Sequence, residues 1–477
     1  MAFPGAILPT SSWNPGLTWP WQWRKAAYQR FQSQTISCVP FLSGAPAIYT
    51  SSVEVATQMF SPRPEIRKDP HANEILRLWG ENVLSTNHDM HKRHRRVAGS
   101  AFNGSIYTLV AQETAALYYE MMDSEDWTTQ STVSVTGINR YMSKFALGII
   151  SRCGFGLPFP WVSNTTLDGM TFDEALLVVA KASIIRVSTP RWAYKLPIEN
   201  LKKIDKAYIT LAEFMKRLIS AKKEEFEAHG DDTTRSRPDL LTKLVGANAS
   251  ESEKTKLSDE ELVGNVFTFM FAGHETTSVA LTASMALLAL HPEEQDGLVS
   301  HIQEVIGEDR MPNLTKIEAL YKVLACFQEA VRMFPGAALL TRDTTDTITL
   351  NVPNDEGAKP IVVEAGVRLV IDMIGIHYNP RLFPDPERFD PTRWYGARDS
   401  DLTFFGWGHR VCLGRKFSMT EATCFLSLLL RDWKIEPILQ NGESLALWRE
   451  RVLQMGMRGL AFGVGDAPLK LTKRVKA

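Results

Sequence analysis

From Ser258 to His291 the chain reads as one helix, apolar around most of its circumference and closed by Pro292. Ser258 and Glu261 form a capping box at its start. At 1.5 Å per residue such a helix is roughly 50 Å long, enough to cross a whole molecule. A helix that is apolar on every side has to be buried, so the fold must be built around it and its few polar residues need reasons. Those residues cluster as Ala272-Gly273-His274-Glu275-Thr276-Thr277. Gly273 costs about 1 kcal/mol relative to alanine inside a helix. Thr276 can divert backbone hydrogen bonding, so a local opening of the helix is expected there.

A second segment, Phe405-Gly406-Trp407-Gly408-His409-Arg410-Val411-Cys412-Leu413-Gly414, sets one cysteine among three glycines, an arginine and aromatics. Glycines at fixed offsets imply a backbone that turns tightly and approaches something flat. From Leu413 the apolar spacing becomes helical, with Phe417, Ala422, Phe425, Leu426, Leu429 and Leu430. Cys412 therefore lies at a helix N-terminus, where free N–H groups and the helix dipole favour the thiolate that ligates metal. The alternative for a lone cysteine is simple burial as a small hydrophobe. Six fixed positions argue against it, since chance expects them in on the order of 10⁻⁵ chains of this length.

Phe405, Gly406, Gly408, Arg410, Cys412 and Gly414 match every fixed position of the haem-binding loop F-G-x-G-x-R-x-C-x-G. The chain thus resembles the cytochrome P450 superfamily, in style its fungal (basidiomycete) members of secondary metabolism. The resemblance implies haem b with Cys412 as the proximal thiolate ligand, and Phe405, Arg410 and Gly414 in the loop that holds the cofactor. It also covers Ala272 to Thr277, which match A-G-x-[DE]-T-T. Glu275 and Thr276 are then an acid–alcohol pair that delivers protons so that the O–O bond breaks heterolytically. Glu329-x-x-Arg332 and Pro386-Glu-Arg388-Phe389 resemble the E-x-x-R and P-E-R-F elements, implying a buried structural network of Glu329, Arg332 and Arg388. Arg95, Arg342 and Arg410 are the implied partners of the haem propionates. The family's W-x-x-x-R element has His91 in place of tryptophan, and a histidine N–H can donate there instead.

With 477 residues, 44% of them hydrophobic and 22% charged, the composition is that of a globular protein. A formal net charge of −1 gives no global case for nucleic acid. The five cysteines are widely spaced without a C-x-x-C pair, which argues against a disulfide framework or a structural zinc. Helical periodicity dominates, at 138–150, 207–227, 259–290, 298–306, 320–334 and 413–433. Strands are expected at 39–49, 347–352, 361–363 and 367–371, the last two joined by a turn at Glu364-Ala365-Gly366. The fold class is mainly α with small β-sheets (α+β), and the resemblance specifies the cytochrome P450 fold with the long central helix over the haem. Residues 31–475 form one haem domain and 1–30 an interfacial segment, its own anchor absent. There Trp13, Trp19, Trp21 and Trp23 suit a membrane–water interface or equally packing onto the domain. The charged stretch 229–256 reads as a mobile loop.

No segment reads as a flavin or nicotinamide domain, so electrons must come from a separate protein. The resemblance implies an NADPH-cytochrome P450 reductase at the cytosolic face of the endoplasmic reticulum. Lys92, Arg93, Arg96, Lys416 and Arg431 are a basic patch for it, or a solvated mixed face. Some of Phe267, Phe269, Met270, Phe271 and Ala272, the others being ordinary core, with 336–340, part of 64–84 and the turn at 455–459, wall an apolar pocket for a hydrophobic small molecule. The small residues Gly336, Ala337 and Ala338 leave room for a terpenoid. The reading is a monooxygenase consuming O2. A haem-thiolate isomerase or dehydratase, and a haem sensor, are its rivals; neither needs Thr276.

Overall fold

The computed structural model describes residues 10, 16, 18–24, 26–40, 44–68, 74, 76–162, 170, 172–229, 239–252, 254–354 and 357–475. Helices of eight residues or more are α1 (His88–Ser100), α2 (Gly104–Ser124), α3 (Asn139–Ile149), α4 (Phe172–Ser188), α5 (Glu199–His229) and α6 (Leu240–Ala249). They continue with α7 (Asp259–Ala289), α8 (Pro292–Val305), α9 (Tyr321–Met333), α10 (Arg415–Asp432) and α11 (Leu445–Val452). A five-stranded sheet has the order β1 (Thr35–Cys38), β2 (Ala47–Thr50), β8 (Arg368–Asp372), β5 (Leu339–Thr344), β3 (Ile66–Arg67). A three-stranded sheet joins β4 (Thr132–Val135), β12 (Leu469–Lys473) and β9 (Trp433–Pro437). Two hairpins complete the set, β6 (Ile348–Asn354) with β7 (Gly357–Val363), and β10 (Gly456–Arg458) with β11 (Ala461–Gly463).

The fold is organised by α7, which starts at the expected capping box. The Ser258 amide donates to Glu261 Oε2 at 2.8 Å, and the Glu261 amide donates to Ser258 Oγ at 3.2 Å. From Leu262 to Ala289 every residue is buried except Ala272, Gly273 and Thr276. Their spacing of one and four puts them on a single face, so beyond its exposed first turn α7 is open on one short patch. The helix runs through this patch without a break, contrary to the expected local opening. Gly273 is explained by packing instead. A Cβ there would stand 3.1 Å from Ile150 Cδ1, at the π-helical turn Ile150–Gly154 that follows α3.

Two other sequence expectations change, and one alternative left open is resolved for Trp19 and Trp21. The pair 361–363 and 367–371 turns at Gly366, whose φ is +83°, but β7 pairs with β6 while β8 enters the five-stranded sheet. Residues 240–249 of the expected mobile loop are helix α6, capped by Asp239, whose Oδ1 accepts from the Thr242 amide at 2.8 Å. The loop's 230–238 portion lies outside the described residues, as does Trp13. Trp19 and Trp21 pack onto the domain: both are buried, Trp21 lies 5.4 Å from the Phe334 ring, and its Nε1 donates to Gln454 at 3.0 Å.

A fully buried ion pair anchors α9 to the segment that precedes the cysteine loop. Arg332 Nε and Nη2 donate to the two oxygens of Glu329, each at 2.8 Å. Arg332 also donates to the carbonyls of His377 at 2.7 Å and Pro386 at 2.9 Å. Glu329 accepts from Trp394 Nε1 at 2.9 Å and from the Asp390 amide at 3.1 Å. The third side chain of the network is not Arg388, which is exposed and offers only its carbonyl, but Arg393, 3.4 Å from Glu329. Pro386-Glu-Arg388-Phe389 and Pro391-Thr-Arg393-Trp394 repeat one proline–arginine–aromatic pattern five residues apart, and only the second turns its arginine inward. Removing one partner of a buried pair leaves an uncompensated charge, so Arg332→Ala should cost about 3–5 kcal/mol. In the same denaturant titrations Arg393→Ala should cost about 1–3 kcal/mol, and Arg388→Ala less than about 0.5 kcal/mol.

Candidate functional site

The cysteine loop is shaped by two glycines in left-handed conformations, Gly406 at φ +81° and Gly408 at +54°. Both are positions a side chain would strain. The Cys412 amide closes the turn by donating to the Phe405 carbonyl at 2.8 Å, and α10 begins three residues later. Gly414 and Arg415 turn their backbone N–H groups to the Cys412 sulfur, and Arg95 Nη1 holds the Val411 carbonyl at 2.7 Å. Cys412 keeps accessible surface on one side, although surrounding protein makes burial the dominant influence on its acidity. Burial pushes the thiol up, while the two N–H groups, Arg95 and Arg415 pull it down. The helix N-terminus therefore does not ionise this cysteine unaided. A metal bound at this sulfur would displace the proton and give the thiolate.

Beside the loop the structure gathers the sequence-derived cations and adds one more. Arg342 is buried, which pushes its guanidinium down to about 10, and its Nη1 donates to the Thr341 carbonyl at 2.7 Å. Arg410 donates to the Thr86 carbonyl at 2.7 Å; burial, then Arg342 and Arg95, bring it down to about 9. His91 is buried, its ring 5.6 Å from that of His409. Burial and the surrounding cations hold it down to about 2, so its ring is neutral and free to donate an N–H. Lys68, which the sequence does not flag, is buried in the same cluster, with its ammonium on the Leu84 carbonyl and its amide 3.0 Å from Asn87 Oδ1. Burial lowers its pKa, and Arg342 and Arg410 lower it further. Among the described residues no carboxylate pairs with Arg95, Arg342, Arg410 or Lys68. Desolvated cations crowded without counter-charges fit a dianionic ligand, and a haem, whose two propionates need such donors, suits this set together with Cys412.

On the α7 side, Thr276 is exposed at the open patch and its Oγ1 donates to the Ala272 carbonyl at 2.7 Å, which leaves the hydroxyl oxygen free to accept. Gly336 lies against it, with a Cβ position 3.6 Å from Thr276. Glu275 takes a different direction. It is buried, and its Oε2 accepts from the Leu460 amide in the β10–β11 turn at 3.0 Å. Burial raises its carboxyl to about 7, against the lowering effect of the Leu460 and Ala461 N–H groups. The pair adjacent in sequence thus shares no hydrogen bond, among those the described residues make. Of the expected wall residues on α7, Phe267, Phe269, Met270 and Phe271 are core, and Ala272 alone is exposed. The expected basic patch is paired throughout, as Lys92–Asp89, Arg93–Glu261, Arg96–Glu251, Lys416–Glu318 and Arg431–Asp432. A groove of about 990 Å³ between residues 28–37 and the β6–β7 hairpin contains none of these groups.

The model of the family "Cytochrome P450" matches residues 42–454. Cytochrome P450 monooxygenase 124 of Postia placenta is 32% identical over 425 residues, which are 87% of this chain and 80% of that protein. Cyclooctat-9-en-7-ol 5-monooxygenase of Streptomyces melanosporofaciens is 28% identical over 77% of this chain and 75% of its own. The crystal structure of the cytochrome P450DA heme domain superposes with a TM-score of 0.76 at 20% identity, covering 96% of this chain and 94% of that one, a likeness of fold. The chain belongs to the cytochrome P450 family. Within it the chain is a monooxygenase, of a class that uses a haem-thiolate centre, O2, a small-molecule substrate and a source of electrons.

If the cation cluster holds the propionates, Arg342→Ala and Arg410→Ala should each speed transfer of haem to an excess of apomyoglobin at least about tenfold, the equivalent of one charge-assisted hydrogen bond. Lys68→Met should do so by a smaller factor.

Proposed function

We propose that this monooxygenase holds haem b on Cys412 and hydroxylates a hydrophobic, terpenoid-class molecule with electrons from an NADPH-cytochrome P450 reductase. The observation that carries the reading is the open patch midway along α7, where Ala272 and Thr276 are exposed, with Glu275, the neighbour of Thr276 in the chain, buried against the β10–β11 turn and its pKa raised to about 7. When bound, the haem supplies the oxidising chemistry, in which one atom of O2 enters a C–H bond and the other leaves as water after two electrons and two protons.

The protein's own residues do the rest. Arg95, Arg342, Arg410 and His91 hold the propionates, and Phe405 and Gly414 frame the Cys412 loop. Glu329, Arg332 and Arg393 keep that loop in place. Glu275, able to gain and lose a proton near pH 7, passes protons towards the patch. Thr276, anchored to Ala272, presents a hydroxyl there. Small side chains at Ala272, Gly336 and Ala337 leave room for a bulky carbon skeleton, and the relative from Streptomyces melanosporofaciens is named for an unsaturated carbocyclic alcohol.

Residues 31–475 make the haem domain and 1–30 a segment at the membrane side, at the cytosolic face of the endoplasmic reticulum. Exposed Trp192, Leu196 and Ile198 support contact with a membrane surface. Among the described residues no helix is long and apolar enough to cross one. Of the paired cations, Lys92 remains available to an acidic reductase, because it and Asp89 are both well exposed and such pairs are weak.

Turnover with the reductase and a panel of terpenoids should give hydroxylated product. In Thr276→Ala the product per NADPH should fall about ten- to a hundredfold while NADPH is still consumed and hydrogen peroxide accumulates. Unchanged product yield in that variant would remove the proton-delivery role, and no oxidation of any apolar substrate would remove the terpenoid assignment.

A further inference from the structure

The acid of α7 is held by an element far away in sequence. Glu275 and Val279 are one helical turn apart, and they face Gly459 and Gly463 of the C-terminal hairpin. At Gly463 a Cβ would come within 2.7 Å of Val279, so the two elements touch backbone to side chain. Gly459 has φ +73°, and a Cβ built there overlaps Glu275 Oε1. The next two amides, of Leu460 and Ala461, donate to the Glu275 carboxylate. The turn is fastened in its own right, by the Phe462 amide on the Gly336 carbonyl at 2.9 Å and by Arg458 Nε on the Val464 carbonyl at 2.9 Å.

We propose that the Gly459-Leu460-Ala461 turn is a positioning element for the reaction, a backbone cradle that holds Glu275 as a carboxylate acceptor at a set distance from the open patch. The inference rests on the reading of Glu275 as a proton carrier. Among the described residues no ion pair of Glu275 competes with the cradle. His274, on the same helix, is driven down to about 4 by burial and stays neutral. Arg458, the charged residue of the hairpin, is engaged at Val464. Two opposed effects therefore set the proton affinity of Glu275: burial favours the neutral acid, and the two N–H groups favour the carboxylate. Gly459 matters because only a residue without Cβ lets the carboxylate reach both amides. Withdrawing the carboxylate from the cradle removes the effect that lowers its proton affinity, so its midpoint must rise.

The test uses the haem-loaded enzyme and infrared difference titration of its protonated carboxyl band from pH 5 to 9, with Glu275→Gln identifying the band by its loss. Gly459→Ala should raise the midpoint by about one pH unit, the worth of one hydrogen bond to a charged group. Glu275→Asp, which shortens the reach and leaves the hairpin backbone untouched, should do the same. Both should speed hydrogen exchange at the Leu460 and Ala461 amides. An unchanged midpoint in both variants, or unchanged exchange at both amides, would overturn the cradle. Full coupling of NADPH to product in Glu275→Gln would instead overturn the proton-carrier reading and leave the measured cradle standing.

Discussion

Four basic side chains, Arg95, Arg342, Arg410 and Lys68, share the wall beside Cys412 without a carboxylate partner among the described residues. Desolvated like charges repel, and a folded chain tolerates them only where fixed dipoles or a bound anion compensate. Here the carbonyls of Val411, Thr341, Thr86 and Leu84 each accept from one of them. A ligand bearing negative charge would supply the rest of the compensation. If this cluster holds the haem, as proposed, cofactor loading and fold stability are linked.

That arrangement needs a rigid frame, which the neutral interior supplies in two places. The buried Glu329–Arg332 pair ties α9 to residues 377–394 and so fixes the approach to the cysteine loop. The second is α7, which beyond its first turn is buried except at Ala272, Gly273 and Thr276. The proposed chemistry rests on two side chains with accessible surface, Cys412 in the loop and Thr276 on α7.

Much of this was legible in the chain because it is local. The capping box at Ser258, the helix to Ala289 and the glycine turn at 406–408 follow from short-range backbone rules, and the structure keeps them. What was illegible depends on long-range placement. Arg388 and Arg393 stand in near-identical proline–arginine–aromatic patterns, and only the packing of residues 385–394 decides which points inward. Lys68 carries no periodic signal, because its burial comes from strand β3 and the residues around Leu84. Adjacency in sequence sets Glu275 beside Thr276, yet neighbouring positions on a helix diverge by about 100°, and the carboxylate leaves for the hairpin. Gly273 was expected to loosen α7 and instead admits Ile150.

The central claim is that Cys412 binds haem iron as a thiolate. The reduced, carbon monoxide-bound difference spectrum measures this most directly, recorded on the wild type and on Cys412→Ser. The account predicts the red-shifted thiolate band in the wild type and its loss in Cys412→Ser. Haem-loaded wild-type protein without that band, or a Cys412→Ser variant that retains it, would contradict the account.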